Sequence, residues 1–401
     1  MRIVCAGRGS RGDVAPILDI AAALQHCGHE VCVCVPDSFE AQAARGGFDI
    51  RCFREDSQHL MRGFGAGWKA ASVALRWVAR SLEEQRRVLL EASVGVDALV
   101  SGATVMMAPS VAEFRRIPYY RIAFAPILPG DQPPPLVPWQ GMPRQVNRVL
   151  WRGLNAAVGL VMKRFLDAGR RKMGLASPGA VEDYFAGYGH TLLAISPWLA
   201  PPSAAWRHAY TYTGYCHGED GHPLAEDLQA FLDAGAPPVY VGFGSVCVRN
   251  PAAFTRKVLA AAERAGCRLV LGQGWAGLGV GRLPAFAFAV EEAPHASLFP
   301  RTAGVAHHGG SGTVHTAARA GVPQLVMPQI ADQFYWGARI RALGIGPQPL
   351  APGRIRVRAL AEAFRSLGSD SGMRARARAL ARGIGRERGL DRAIQVICGG
   401  S

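Results

Sequence analysis

The stretch Gly304-Val-Ala-His-His-Gly-Gly-Ser-Gly-Thr313 decides the fold. Gly304 to His307 reads as a short buried strand, a glycine loop follows, and a helix runs on through Ala320 to a further strand at Gln324–Met327. Strand, glycine loop, helix and strand in that order form a unit of parallel sheet. The glycines let the backbone approach a ligand closely, and the free N–H groups at a helix N-terminus favour an anion such as a diphosphate. His307 can add a donor. An ordinary tight turn is the plainer reading, and two histidines directly before the glycines weaken it.

Working outward, the same pattern recurs on both sides. Pro238 to Gly242 reads as a strand, Pro251 to Ala265 as a helix closed by Gly266, and Arg268 to Leu271 as the next strand. The turn Gly242-Phe-Gly-Ser245 places Gly244 and Ser245 where backbone and hydroxyl could face the same phosphates. At the far N-terminus, a strand at Ile3–Ala6 leads into a glycine loop. Val14, Ile17, Leu18, Ala21 and Leu24 then recur at helical spacing, Gly28 ends the helix, and Glu30 to Val35 is a strand. Strand-like 97–100, helical 111–114 and strand-like 118–123 continue the series. The fold class is therefore α/β, with two doubly wound parallel-sheet units: residues 1–215, a linker at 216–225, and residues 226–401. The last helix is free to pack back on the first unit. Ligands in such sheets bind beyond the carboxyl ends of the strands, so the cleft between the units is the expected site.

Composition narrows the class. The chain has 401 residues, 49% hydrophobic and 19% charged, with 45 basic and 30 acidic residues for a net charge of +15. No apolar run reaches the roughly 18 residues that span a bilayer, and Met1 runs straight into a strand rather than a leader peptide. A cytoplasmic protein is expected. The nine cysteines contain no CxxC pair and read as reduced thiols, with Cys32 and Cys34 on one face of a strand. Residues 354–392 hold eleven arginines against four acids. A solvated helical surface explains that excess best, weak peripheral association with an anionic membrane is the alternative, and no nucleic-acid motif accompanies the charge.

Gly7-Arg-Gly-Ser-Arg-Gly12 matches a dinucleotide-binding loop in letters only. Its candidate ribose-binding acid, Asp37, lies 25 residues beyond Gly12, where about 20 is usual. Asp13, at the start of the following helix, is either a first-turn carboxylate that favours the helix dipole or a general base at the cleft mouth. Asp332 and Gln333 either cap the helix at 334–343 or hydrogen-bond sugar hydroxyls. The chain contains no Asp-x-Asp, so no carboxylate-held metal clamp is indicated.

The pattern Gly9-Ser-Arg-Gly-Asp-Val-x-Pro16, with His307-His-Gly-Gly-Ser-Gly-Thr313 and Pro328-Gln-Ile-Ala-Asp-Gln333, resembles glycosyltransferase family one. The likeness is to the bacterial branch of glycopeptide, sterol and rhamnolipid glycosyltransferases, and it covers nearly the whole chain. The resemblance implies a GT-B fold and an inverting, metal-free transfer with no cofactor, in which a UDP- or dTDP-sugar is the donor substrate. It further implies Asp13 as the acceptor base and Ser10 near the phosphates. Gly244, Ser245, His307, Gly309, Gly310, Ser311, Gly312 and Thr313 would hold the diphosphate, and Asp332 and Gln333 the sugar. Val290 would meet the nucleobase through its backbone. Glu292 stands where plant members stack a tryptophan, and Trp275 is the substitute within reach. A nucleotide-sugar epimerase on the same fold and a non-catalytic nucleotide-binding protein remain as alternatives.

The acceptor is expected to be a lipophilic small molecule docked in the N-terminal unit. Leu60, Met61, Phe64, Trp68, Val73, Leu75, Trp77 and Val78 are more apolar than a surface loop needs. Met106 and Met107 follow a strand end, where thioethers suit irregular binding surfaces. Residues 126–143, with seven prolines, read as a lid carrying Leu128, Leu136, Val137 and Trp139. The plainer reading is that these side chains are core. Residues 144–173 read as a basic amphipathic helix or pair, with Val149, Leu150, Leu154, Val158, Val161, Met162 and Phe165 as the apolar face.

Overall fold

Residues of β1 (Arg2–Ala6) alternate between two cores. Ile3 and Cys5 pack with Val14, Ile17 and Leu24 on one face, while Val4 and Ala6 pack with Leu82, Leu89 and Val111 on the other. A strand buried on both faces belongs in the middle of a parallel sheet covered by helices on each side. The computed structural model describes residues 1–54, 68–126, 132–134, 137–179, 184, 188–202, 210–218, 222–244, 248, 250–351, 353 and 355–399, and only the backbone at 68–76 and 275.

The N-terminal unit runs β1, α1 (Arg11–His26), β2 (Glu30–Pro36), α2 (Glu40–Arg45), β3 (Asp49–Phe53), α3 (Trp68–Ala92), β4 (Ala98–Gly102), α4 (Ala108–Arg115), β5 (Tyr119–Ala123), α5 (Arg144–Lys172), β6 (His190–Leu193) and β7 (Tyr210–Tyr212). Among the described residues these strands form one sheet in the order β3-β2-β1-β4-β5-β6-β7, every pair parallel.

The C-terminal unit continues with α6 (Glu226–Asp233), β8 (Val239–Gly242), α7 (Pro251–Ala265), β9 (Leu269–Gly272), β10 (Ala287–Val290), α8 (His295–Leu298), β11 (Gly304–His307), α9 (Ser311–Arg319), β12 (Gln324–Val326) and α10 (Gln333–Ala342). It closes with α11 (Val357–Ser369), α12 (Ser371–Ile384) and α13 (Gly389–Gly399). The strand order is β10-β9-β8-β11-β12, again parallel. Val239 and Val241 face Phe254, Val258 and Phe364, while Tyr240 faces Leu228, Phe299 and Ala317. Both sheets are thus doubly wound.

The two units share apolar surface. Leu193, Ile195 and Leu199 of the first meet Val314, Trp336 and Ile345 of the second in one buried cluster. Ser196 N–H donates to Nε2 of His315 across that boundary at 3.0 Å, and Tyr215 stacks on the same imidazole with centroids 4.5 Å apart. Helix α13 crosses back, burying Ala393 and Ile397 against α1. Of the two readings of residues 144–173, one helix or a pair, the structure shows the first. Along that single helix, Val149, Val158 and Val161, read above as part of one apolar face, are exposed rather than packed.

Candidate active site

The floor of the site is the β1–α1 turn. Gly9 takes φ +115°, and a Cβ there would lie 2.7 Å from Oδ2 of Asp13, so only glycine fits. Ser10 caps α1 and donates its backbone N–H and its hydroxyl to that same Oδ2, both at 2.9 Å. Oδ1 makes no hydrogen bond among the described residues. Burial pushes the Asp13 carboxyl above the ordinary carboxylate range, against the two Ser10 bonds and the Arg8 guanidinium, which pull it down. Arg8 is buried, its guanidinium 4.7 Å above the Trp77 ring, and Thr104 ties down the Arg8 carbonyl at 2.5 Å. Asp13 is thus a first-turn carboxylate with one oxygen held by Ser10 and the other open.

The facing wall is the β11–α9 turn. Gly309 takes φ +96°, where a Cβ would lie 2.7 Å from Cγ1 of Val326, and a Cβ on Gly310 would collide with the His308 ring. Gly244 follows β8 with φ +53°, and a Cβ there would lie 3.4 Å from Cε1 of His308. Val314 N–H bonds Gly310 O at 3.0 Å, which leaves the N–H groups of Ser311, Gly312 and Thr313 without intrahelical partners. Gly244, His308, Gly310 and the α9 N-terminus therefore converge on one cradle suited to a diphosphate.

Here the histidine assignment changes. His307 is fully buried and both ring nitrogens are engaged within the protein. Nε2 lies 3.0 Å from Oε1 of Gln324, and Nδ1 accepts Gly309 N–H at 3.1 Å. It shapes the loop and has no nitrogen left for a ligand. His308 is the one against the cradle, and its buried Nδ1 has no partner. Burial holds His308 down to about 4, so at neutral pH it is an uncharged donor and acceptor. The doubled histidine carried this signal in the sequence. The two residues fall on opposite sides of the strand end, which a motif cannot show.

The third wall is the β12–α10 loop. Ala331 takes φ +54°, an unusual angle for a non-glycine residue, and Gln333 braces the loop by accepting the N–H groups of Gln329 and Ile330 through Oε1 at 2.8 and 3.1 Å. The Gln333 carbonyl oxygen is thus spent on the backbone. Asp332 starts α10, but its carboxylate does not cap the helix; it accepts the Trp336 indole N–H at 2.8 Å. Burial pushes Asp332 up to about 6, with the Asp13 charge adding to the rise and the Trp336 bond opposing it.

Other expected contacts separate. The Val290 carbonyl is turned into the sheet, where Gln273 N–H occupies it at 2.8 Å. Ser245 and the Trp275 side chain lie outside the described residues, as do Leu60, Met61, Phe64, Leu128, Leu136 and the side chains of Trp68, Val73 and Leu75. Glu292 pairs with Arg11 of the other unit at 3.2 Å. Met107 is fully buried, its side chain against Gly169 and its N–H bonded to Gln85, so it belongs to the core and does not line the cleft. Met106 is partly buried, with its carbonyl accepting the Tyr184 hydroxyl at 2.8 Å. Trp139 is 72% exposed.

Two facing parallel-sheet units, with a carboxylate at one strand end and a glycine–histidine cradle at the other, define a GT-B glycosyltransferase. Comparison with known proteins agrees. Residues 3–128 match the glycosyltransferase family 28 N-terminal domain, and residues 257–386 match the erythromycin biosynthesis protein CIII-like C-terminal domain. The chain is 36% identical to glycosyltransferase GtfE of Amycolatopsis orientalis over 363 residues, 86% of this chain and 85% of that protein. It is 35% identical to vancomycin aglycone glucosyltransferase of the same organism over 359 residues, again 86% and 85%. A sterol 3-beta-glucosyltransferase of Arabidopsis thaliana is 28% identical over 386 residues, 89% of this chain and 61% of that protein. Among solved structures, the kitacinnamycin glycotransferase superposes with a TM-score of 0.79 over 99% of this chain and 98% of its own, at 20% identity. VinC, solved with dTDP, gives 0.67 over 100% and 99%, at 18% identity. The chain belongs to this family of glycosyltransferases.

Proposed function

We propose that the protein transfers a hexose, with inversion, from a UDP- or dTDP-sugar to a hydroxyl of a lipophilic small molecule. The observation that carries this reading is the placement of Asp13, whose Oδ1 is open opposite the α9 cradle. Asp13 takes the acceptor proton as the hydroxyl oxygen attacks the anomeric carbon. The bond from that carbon to the diphosphate breaks, and its electron pair leaves with the diphosphate oxygen. The N–H groups of Ser311 to Thr313 and a neutral His308 stabilise that growing charge. The cradle offers backbone donors and an imidazole rather than a carboxylate pair, which suits a diphosphate held without a metal. Asp332, oriented by Trp336, accepts from sugar hydroxyls. The relatives named for a glycopeptide aglycone and for sterols, and the neighbour solved with dTDP, support the acceptor class and the donor.

Thermal shift with dTDP, UDP and NAD, followed by NMR of the product anomer, tests the proposal. A nucleoside diphosphate should raise the melting temperature, and the product should carry the anomeric configuration opposite to the donor's. Stabilisation by NAD alone, or sugar isomerisation without acceptor, would overturn it.

A further inference from the structure

Helix α5 turns an apolar row outward. Val146, Val149, Ala156 and Leu160 follow one another at steps of three, seven and four residues, so they share a face with Gly153. All are exposed, Leu160 at 83% and Val149 at 65%. The exposed Arg148 and Arg152 border this row on one side and Arg164 on the other. From Arg144 to Leu166 the helix carries no carboxylate. Arg148 and Arg152 form no ion pair among the described residues. The opposite face does the anchoring: Trp151 is buried and donates its indole N–H to the Gln132 carbonyl at 2.8 Å, and Asn147 reaches the Met142 carbonyl at 3.2 Å. Trp139, just before the helix, is also exposed.

We propose that this face of α5 docks on a lipid bilayer bearing anionic headgroups, with the helix lying in the plane of the interface. A helix with one apolar stripe and arginines along its borders buries the stripe roughly 5–10 Å deep while its guanidinium groups stay among the phosphates. The exposed Trp139, five residues before the helix, is of the residue type that anchors at such interfaces. Charge complementarity selects this occupant. A second copy packed symmetrically on the same face would bring arginines against arginines with no carboxylate between them. No helix among the described residues is long and apolar enough to cross a membrane, so the contact is peripheral. The proposal reaches beyond the transfer reaction and does not depend on it.

Co-sedimentation of the full chain with mixed phosphatidylglycerol–phosphatidylcholine vesicles, and with phosphatidylcholine alone, tests it. Binding should require the anionic lipid and fall with salt. Arginines near such a surface contribute about fivefold each, so Arg148→Ala with Arg152→Ala should lower the partition constant about 25-fold. Val149→Ser with Leu160→Ser should lower it about tenfold or more. Circular dichroism and elution volume should not change, since all four side chains are exposed. Absence of binding to anionic vesicles, or undiminished binding by both double variants, would overturn the proposal. So would a change of oligomeric mass in the variants without a change in vesicle binding, which would mark the face as a contact between copies.

Discussion

The indole of Trp336 donates to the carboxylate of Asp332 at 2.8 Å, one helical turn away on α10. This bond fixes the carboxylate at the cleft side of the helix start. Trp336→Phe keeps most of the buried ring and removes the donor. A hydrogen bond to a buried carboxylate is worth about 1.5–3 kcal/mol. The KM for the sugar donor should therefore rise roughly 10–100-fold, with the acceptor KM unchanged. An unaltered donor KM in a folded variant would reduce Trp336 to packing.

Asp13→Asn retains an oxygen that can accept the two Ser10 bonds, so α1 should stay capped and the melting temperature nearly unchanged. What disappears is the proposed base. General-base help contributes about 10²–10⁴-fold, and kcat should fall by that factor while dTDP or UDP affinity survives. Turnover at the wild-type rate would place the base elsewhere.

The two histidines should separate cleanly. His307→Ala leaves Gln324 and the Gly309 N–H without their partner and opens a cavity under β11. It should cost about 2–4 kcal/mol of stability, read by denaturant unfolding. His308→Ala should leave stability within about 1 kcal/mol and weaken nucleoside diphosphate binding, read by calorimetry. The reverse pattern would restore the ligand role to His307.

Much of this architecture was legible because central strands and glycine turns write strong patterns. β1, β2, β8 and β11 are short apolar runs, and the glycines at 9, 309 and 310 are dictated by close contacts. Of the four edge strands among the described residues, only β12 was legible. β3, β7 and β10 are short, and Asp49-Ile-Arg-Cys-Phe53 mixes charge with apolar residues because an outer strand needs burial less. At the site, residue types were readable but side-chain direction was not. His307 and His308 differ by one residue and face different surroundings. Met107 carries the chemistry of a binding surface but points into the core between α3, α4 and α5.

That placement changes what substitution of Met107 should do. Met107→Ala empties a fully buried site and should cost about 2–5 kcal/mol, with little effect on the acceptor KM of the folded enzyme. Trp139→Ala removes an exposed ring and should leave stability within about 0.5 kcal/mol. If the segment around it closes over the acceptor, the acceptor KM rises and the donor KM does not. Steady-state kinetics on both substrates, beside unfolding curves, separate the two residues.

The last prediction follows from the burial of Asp332 and the nearby charge of Asp13. Asp332 titrates near 3.8 in a solvated chain and about 6 in the fold, chiefly through burial. Between those values the folded protein holds a proton that the unfolded chain has released. Stability should therefore fall as pH rises through that window and level off above it. Asp332→Asn should make this slope shallower, with Asp13, also raised by burial, supplying part of what remains. The Asp13 charge adds to the rise of Asp332, while Asp13 is itself raised by burial. Asp13→Asn removes that charge, so the slope left by Asp332 should move to lower pH in this variant. Unfolding of wild type and both variants across the same pH range reads both effects. A slope that stays in place in Asp13→Asn would show that the charge of Asp13 does not reach Asp332 across the cleft.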